Sequence, residues 1–539
     1  MRRETSNIRW ESLKSQVSSL MSILGGRCIW IGTIPMAILL LMLVPVEGST
    51  AMFSVRDFGA KGDKQSNDRA AIQAAVEACS KAGGGTVYFP AGDYLSGTIR
   101  LLSNVTLQLD AGATLWASTE PSDYEGRRLL VADEQEHISI VGSGTIHGQG
   151  TADYGSRWGV PDRPPFRTGV LLFQKCRHVA IRGVTILYSD SWAVHLKRCE
   201  TVFIDGVTIL NNIHRLNSDG IDPDSCRDVH ISNCHIVAGD DCIVLKSTEP
   251  YSCENVVVTN CTLETTCTAL KLGTESRGDF RDVHFSNCTI RDTPVGIGFY
   301  MKDGTTMERV TFSDISIETV AAENHQVFPI FMDIEKRHAD SQIGRIRDVV
   351  FRDIQIHSGS GVLIQGMQES PIENLTVENV TFRVDQADDY AKRHKAVGGR
   401  RTTKDDRDTR YARLPSYVTL AHVDGLTVEN IRVLIAEGAF QQHERSAICG
   451  HQLENGTIRG IYRRPAGAGG QLPVIALHNC RHMLVTGCAA APGTPVFLGL
   501  SGEQTAGISL VGNDLREADA AVAQTEEVPP GVVNSSEEL

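Results

Sequence analysis

Asp219 stands in the run Asn217-Ser218-Asp219-Gly220-Ile221-Asp222, and twenty-one residues later comes the pair Asp240-Asp241, preceded by Gly239. Carboxyl groups gathered at one place can share the work of cleaving a glycosidic bond. A protonated one gives its proton to the leaving oxygen, and an ionised one activates water or attacks. Three carboxylates in one site also repel, which raises at least one pKa and keeps an acid protonated near neutral or mildly acidic pH. Whether the three meet depends on the elements that carry them.

Those elements form a repeat. VAIRGVTIL from Val179 returns as VFIDGVTIL from Val202, VHISNCHIV from Val229, VVVTNCTLE from Val256, VHFSNCTIR from Val283 and VTFSDISIE from Val310, and related units run on to residue 434. Each unit alternates apolar and polar residues, the period of a strand with one buried face. The fifth position, Gly183, Gly206, Asn233, Asn260, Asn287 and Asp314, is a bend where stacked asparagines can form a hydrogen-bonded ladder over otherwise buried, unpaired groups. A period near 27 residues without intervening helices predicts an all-β right-handed parallel β-helix. The alternative, a propeller, needs repeats of roughly 40 to 50 residues. The apolar stripe Ala71, Ile72, Ala75, Val76 and Cys79 predicts a capping helix over Asn67 to Ala82, before Gly83-Gly84-Gly85.

Coils stacked roughly 4.8 Å apart place aligned residues side by side. Trp192, Asp219, Asp241, Thr268 and Val295 fall in one line. Val194, Ile221, Ile243, Leu270 and Ile297 face inwards, and His195, Asp222, Val244 and Lys271 face out. A second outward column holds Lys197, Asp224, Lys246, Gly273 and Tyr300, with Glu275 beside Lys302. One sheet thus carries a groove of lysines and carboxylates suited to an anionic sugar. Asp219, Asp222 and Asp224 also invite a calcium reading. It is set aside because there is no EF-hand loop and strand spacing is poor for a metal cage; no metal and no cofactor are expected.

With 52 Lys+Arg against 65 Asp+Glu, the chain has no global charge for nucleic acid or an anionic membrane, so an anionic substrate needs a local basic patch. The fourteen cysteines form no CxxC pair. Cys176, Cys199, Cys226 and Cys253 recur at 23, 27 and 27 residues, and Cys234, Cys261 and Cys288 at 27 and 27, which marks them as small stacked core residues. Ile29 to Pro45 is apolar, and small residues follow near Gly48 to Ala51. This reads as a signal peptide, with Met21 an alternative start and a signal anchor the alternative. The expected organisation is a signal and preceding region over 1–50 and a catalytic β-helix over 51–515. Within the β-helix an exposed insertion is expected at about 385–417, and after it a disordered tail at 516–539. A secreted monomer, extracellular or periplasmic, without stable membrane insertion follows if the signal is cleaved.

The Asn217–Asp222 run and Gly239-Asp240-Asp241, with FSVRDFGAKGD from Phe53 and GGTVYFPAGDY ending at Tyr94, resemble the NTD, GDD and opening motifs of family 28 glycoside hydrolases, from about Ala51 to at least Thr381. The resemblance implies an inverting hydrolase of a pectin-like glycan, with Asp240 as general acid and Asp219 with Asp241 activating water. It breaks in two places: Cys267-Thr268-Ala269 stands where polygalacturonases carry Gly-His-Gly, and Tyr300-Met301-Lys302 where they carry Arg-Ile-Lys. That puts galacturonate-specific cleavage in question, so rhamnogalacturonan hydrolase, exo-acting galacturonidase and α-L-rhamnosidase all stay open. Lys246, Lys271 and Lys302 are expected to contact carboxylates or hydroxyls, and Trp192 and His195 to position sugar. Asn217 completes the binding set together with Glu275, which could equally form a salt bridge with Lys302. A polysaccharide lyase on the same fold and a non-catalytic glycan-binding β-helix are the rival functions.

Overall fold

The computed structural model describes residues 51–155, 164–321, 327–389, 411–436, 444–463 and 471–535. The signal-peptide reading of residues 1–50 lies outside these. Within the unit Thr50–Leu539 the chain winds into a right-handed parallel β-helix. One coil consists of the strands Val194–Lys197, Glu200–Asp205 and Thr208–Leu210. Each pairs in parallel with its counterpart in the next coil, Ile221–Asp224, Arg227–Ser232 and His235–Ala238. Three sheets therefore run the length of the molecule, and the interior between them is one continuous apolar core. Among the described residues no helix is long and apolar enough to cross a membrane.

Alternation decides which residues go inside. Val194, Ile221, Ile243, Leu270 and Ile297 stack in register and are fully buried. Each such side chain contributes about 1.5–3 kcal/mol on leaving water. Further along, Phe285, Phe312 and Phe351 stack with ring centroids 4.6 and 5.3 Å apart. The cysteine columns lie on the buried side too, with Cys234, Cys261 and Cys288 each 2% exposed, and the thirteen cysteines from Cys79 onward form no disulfide among the described residues.

The helix Arg69–Lys81, slightly shorter than expected, buries Ile72, Ala75, Val76 and Cys79 over the first coil. Its start is held by Asn67 Oδ1, which accepts the Arg69 N–H at 3.0 Å, and it closes into Gly83–Gly85. Gly85 is required there: its φ is 146°, and a Cβ would stand 2.4 Å from the Ala51 carbonyl oxygen.

The bend residues adopt the left-handed conformation, with φ of 57° at Asn233, 58° at Asn260 and 50° at Asn287. Their amides form the ladder: Asn233 donates to Asp205 at 2.7 Å, Asn260 to Asn233 at 3.2 Å, and Asn287 to Asn260 at 2.7 Å. The ladder lies on the exposed edge of the coils, not over buried groups as expected, because the left-handed turn projects the side chain outwards.

The segment expected to be an exposed insertion lies mostly outside the described residues; at its flanks the buried Arg445 pairs with Asp388, and Tyr411, Ala412 and Tyr417 are buried. Tyr411 and Ala412 pack with Val295, Tyr300, Phe328, Phe331 and Leu363 on the outer face of the sheet; residues 390–410 lie outside the described set. A disordered tail is expected over 516–539, but the segment 516–535 continues the solenoid with strands Ala518–Gln524 and Val533–Ser535, paired to Thr494–Ser501 and Ala506–Val511. Its prolines, Pro529 and Pro530, fall in the turn between those strands, where a missing N–H costs no ladder bond.

Asn260→Ala should destabilise the fold by about 1–2 kcal/mol, through loss of the ladder bonds and the strain of a Cβ-bearing residue without a local hydrogen bond at positive φ. Denaturant unfolding checks this, and Asn260→Asp should retain more stability than Asn260→Ala.

Candidate active site

The three aspartates do meet. Each lies just before the start of a strand in the same sheet, at a turn closed by backbone hydrogen bonds from the neighbouring coil. Ala193 N–H donates to the Asp219 carbonyl at 3.0 Å, Gly220 N–H to the Asp241 carbonyl at 2.9 Å, and Cys242 N–H to the Thr268 carbonyl at 3.1 Å. The Ser218 hydroxyl joins the two turns, donating to the Arg215 carbonyl at 2.7 Å and accepting the Gly239 N–H at 3.1 Å. Asn217 contributes its backbone: with φ of 58°, its N–H donates to Asp240 Oδ2 at 3.0 Å. Short local turn bonds thus hold carboxylates against their mutual repulsion.

Burial governs the electrostatics. Asp219 and Asp241 are 2% exposed and Asp222 is fully buried, so an ionised carboxylate here has little water to stabilise it. Burial, and then the charges of Asp222, Asp240 and Asp241, hold Asp219 well above the usual carboxylate range. Burial pushes Asp222 up to about 7 even with the Lys246 charge opposing it. The Lys246 ammonium is shared among Asp219 Oδ2 and Asp222 Oδ1, both at 3.6 Å, and Glu275 Oε2 at 3.7 Å, and lies 4.5 Å from the Trp192 ring centroid. Burial alone would lower its pKa, but the carboxylates outweigh that and raise it. Lys271 donates to Asp241 Oδ2 at 2.7 Å and stands 5.0 Å from the Tyr300 ring centroid.

Trp192 is half-buried and meets His195 edge-on at 4.8 Å. His195 is buried and faces Asp224 Oδ2 at 3.3 Å; burial lowers its pKa despite that carboxylate. Asp224 is also bonded by the Thr248 N–H at 2.8 Å and hydroxyl at 2.6 Å. Asp224 is thus engaged by His195 and Thr248, while the Lys246 ammonium stands 3.6 Å from both Asp219 and Asp222. Asp240, Asp241 and Cys267 bring possible ligand atoms within 4.8 Å of one another, with Lys271 on Asp241 Oδ2.

Glu275 and Lys302 lie close in the fold, the Lys302 N–H donating to the Ser276 hydroxyl at 3.0 Å, but their side chains take other ionic partners. Leu245 pairs with Leu272 but Ser247 with Ser276, so Gly273, Thr274 and Glu275 all stand opposite Lys246 as a bulge. This also removes Gly273 from the expected outward column and carries Glu275 to Lys246 and Arg337, whose Nη1 is 3.8 Å away. Burial opposes ionisation of Glu275, but Lys246, Lys271 and Arg337 together lower its pKa. Lys302 instead pairs with Glu335 in the following coil. Asp222, Arg337 and Glu335 were missing from the expected site. Asp222 could have been chosen from its place in the outward column beside His195; Arg337 and Glu335 follow the strand Phe328–Ile334 in a loop with no repeat to align.

Residues 79–397, more than half of the chain, match the sequence profile of the glycosyl hydrolases family 28. A probable polygalacturonase of Vitis vinifera is 35% identical over 224 residues, 36% of this chain and 44% of that protein. An exopolygalacturonase of Platanus acerifolia is 28% identical over 205 residues, 37% of this chain and 53% of that one. The chain thus spans about half the length of these curated relatives. Among solved structures, the Yersinia enterocolitica family 28 exopolygalacturonase superposes with a TM-score of 0.55 at 18% identity, covering 76% of this chain and 78% of that one. The hyperthermoactive Thermotoga maritima exopolygalacturonase does so with 0.54 at 23% identity, covering 62% and 87%. At those identities the likeness of structure concerns the fold, whereas the profile concerns descent: this chain belongs to the glycosyl hydrolases family 28.

Proposed function

We propose that this protein hydrolyses O-glycosidic bonds in a pectin-type glycan, galacturonan- or rhamnogalacturonan-derived, using Asp219, Asp240 and Asp241. The observation that carries the reading is the gathering of these carboxyls at one sheet end with Lys271 on Asp241 and Lys246 on Asp219. Asp240, which the resemblance marks as the acid, gives its proton to the glycosidic oxygen. Asp241, held by Lys271, takes a proton from the attacking water together with Asp219. The relatives named as polygalacturonase and exopolygalacturonase support a pectic substrate, while Thr268 and Tyr300 depart from the homogalacturonan-cleaving pattern and keep the exact linkage open. The apolar stretch Ile29 to Pro45 supports export, extracellular or periplasmic.

The raised pKa of Asp219 favours one second reading, in which Asp219 holds the proton and is the acid. The nearest ligand oxygens of Asp240 and Asp241, within 4.8 Å, are closer than the roughly 6.5–9.5 Å of an inverting acid–base pair. The anomeric configuration of the first product, read by NMR, therefore decides between inversion and retention. Incubation with homogalacturonan, rhamnogalacturonan and a rhamnosyl aryl glycoside, with products resolved by mass, tests the function. Unsaturated, ultraviolet-absorbing products would make the enzyme a lyase, and absence of turnover on all three would favour glycan binding.

Asp240→Asn should lower kcat by roughly 10²-fold or more on a poor leaving group and less on an activated aryl glycoside. An equal loss on both shows that Asp240 is not the acid and moves the role to Asp219 or Asp241. Lys271→Met should lower kcat by about 10- to 100-fold, the worth of a charged hydrogen bond, with little change in KM, since Lys271 touches Asp241. A loss confined to KM would make Lys271 a substrate contact instead. Folded Asp222 keeps its proton up to about pH 7, whereas in the unfolded chain it ionises near pH 4. The folded state thus binds the extra proton between those values, and the contribution of Asp222 to stability falls as pH rises through them. Asn has no proton to lose, so the Tm of Asp222→Asn relative to the parent should climb from about pH 4 to pH 7; a flat difference shows that Asp222 is ionised throughout.

A further inference from the structure

The three lysines expected to hold an anionic sugar are already engaged by the protein's own carboxylates: Lys246 by Asp219, Asp222 and Glu275, Lys271 by Asp241, and Lys302 by Glu335. Arg337 is engaged likewise, donating to Asp303 at 2.7 and 2.9 Å. A uronate entering the groove would have to compete with a buried carboxylate for each of them. One cation on this sheet stands apart.

Arg128 opens the strand Arg128–Asp133 and pairs in register with Gly169. Gly169 lies two residues before Leu171, which pairs with Val194, so Arg128 and Gly169 begin the line that continues through Trp192, Asp219 and Asp241. The backbone at this point is fixed: the Thr98 hydroxyl donates to the Arg128 carbonyl at 2.8 Å, and Gly169 N–H donates to the Arg127 carbonyl at 3.1 Å. The side chain lies across the next coil in the space that Gly169 leaves open. A Cβ at Gly169 would stand 2.8 Å from Arg128 Cζ and Nη1 and 2.6 Å from the Trp192 carbonyl oxygen. The guanidinium is thereby directed along the line towards Trp192. Its only hydrogen bond among the described residues is from Nη1 to the Arg127 carbonyl, at 3.0 Å, while Nε is buried without a partner. No carboxylate among the described residues lies within ion-pair distance. Burial lowers its pKa, and the charge of Asp222 offsets this only in part, the pattern of a cation awaiting an anion.

We propose that Arg128 forms an anionic-sugar subsite on the Trp192 side of the three aspartates, binding the carboxylate of a uronate residue of the glycan. The proposal rests on the pectic reading of the groove above. A guanidinium matches a carboxylate with two parallel N–H donors, which an ammonium cannot do. With tyrosine at position 300, where the family motif carries arginine, the free guanidinium lies at the opposite end of the groove. Carboxylate recognition is thereby transferred from one side of the scissile bond to the other, and Trp192 lies between Arg128 and the catalytic carboxyls as a stacking surface.

The test compares trigalacturonate with its methyl ester, a neutral molecule of nearly the same shape, on the full chain. In the parent protein kcat/KM should favour the acid. Arg128→Gln should lose about 10- to 100-fold on the acid, mostly through KM, and little on the ester, and Arg128→Lys should recover part of the loss. An equal loss on acid and ester, or a preference for the acid that survives Arg128→Gln, overturns the subsite. Calorimetric titration of trigalacturonate into Asp240→Asn, with and without Arg128→Gln, separates this outcome from failure of the hydrolytic reading. Arg128-dependent binding without turnover of trigalacturonate in the parent upholds the subsite and overturns homogalacturonan cleavage, and the hydrolase too if rhamnogalacturonan and the rhamnosyl aryl glycoside are also left intact. Absence of trigalacturonate binding to Asp240→Asn overturns the subsite even where neutral pectic glycosides are cleaved.

Discussion

Everything on the outer surface of this molecule takes its place from one requirement, that each coil lay its apolar side chains directly on those of the coil before. Val194, Ile221, Ile243, Leu270 and Ile297 meet that requirement without a register slip. A shift of one residue would turn each of them out and bring His195, Asp222 and Lys271 into the core. The burial term favouring the observed register is therefore joined by the heavy cost of enclosing charge in the alternative. A groove made of loops would have no such guarantee. Here the spacing of the gathered carboxyl groups is set by the hydrogen-bond repeat of the sheet, about 4.8 Å per coil.

The same rigidity allows the site to hold charges that repel. Asp219, Asp222 and Asp241 are buried together, and the turn bonds of Ser218, Gly220 and Gly239 prevent them from moving apart. Two responses are open to such a cluster: take up a cation or keep a proton. It does both, with Lys246 and Lys271 as resident cations and raised proton affinity at Asp219 and Asp222. Removing one member of a buried ionic group leaves its partner uncompensated at several kcal/mol, so these side chains act as a unit. Retention of a proton near neutral pH is also what general acid catalysis requires.

Local departures from the repeat shape specificity. The bulge at Gly273–Glu275 brings a carboxylate over Lys246, and Arg337 holds that bulge from the next coil. Downstream, Tyr300 is drawn into an apolar cluster beneath Tyr411 and Ala412. Upstream, Gly169 leaves room for the Arg128 guanidinium. The repeated framework is common to every coil, while these interruptions set apart the face that carries the carboxylates.

How far the molecule could be read from its sequence follows from the range of the interactions involved. The 27-residue repeat, the inward column, the bend residues and the convergence of Asp219, Asp240 and Asp241 were all legible, because stacking at constant period converts sequence distance into spatial neighbourhood. Residues at constant phase in the repeat, such as His195 and Lys271, were placed correctly for the same reason. The period failed where the chain departs from it. It could not show that three residues bulge opposite Lys246, that Lys302 pairs with Glu335 and Glu275 with Lys246, or that Tyr411 returns to cover the sheet. Nor could it show that the strands persist past Ala518, where small residues weaken the alternation. The sequence by itself determined the solenoid, its register and the meeting of the three carboxylates, since nearest-neighbour stacking enforces all three. Only the tertiary structure decided which lysine each carboxylate holds and how far burial shifts the proton affinities of Asp219 and Asp222, because charge pairing in a low-dielectric setting depends on distances of a few ångströms between side chains from different coils.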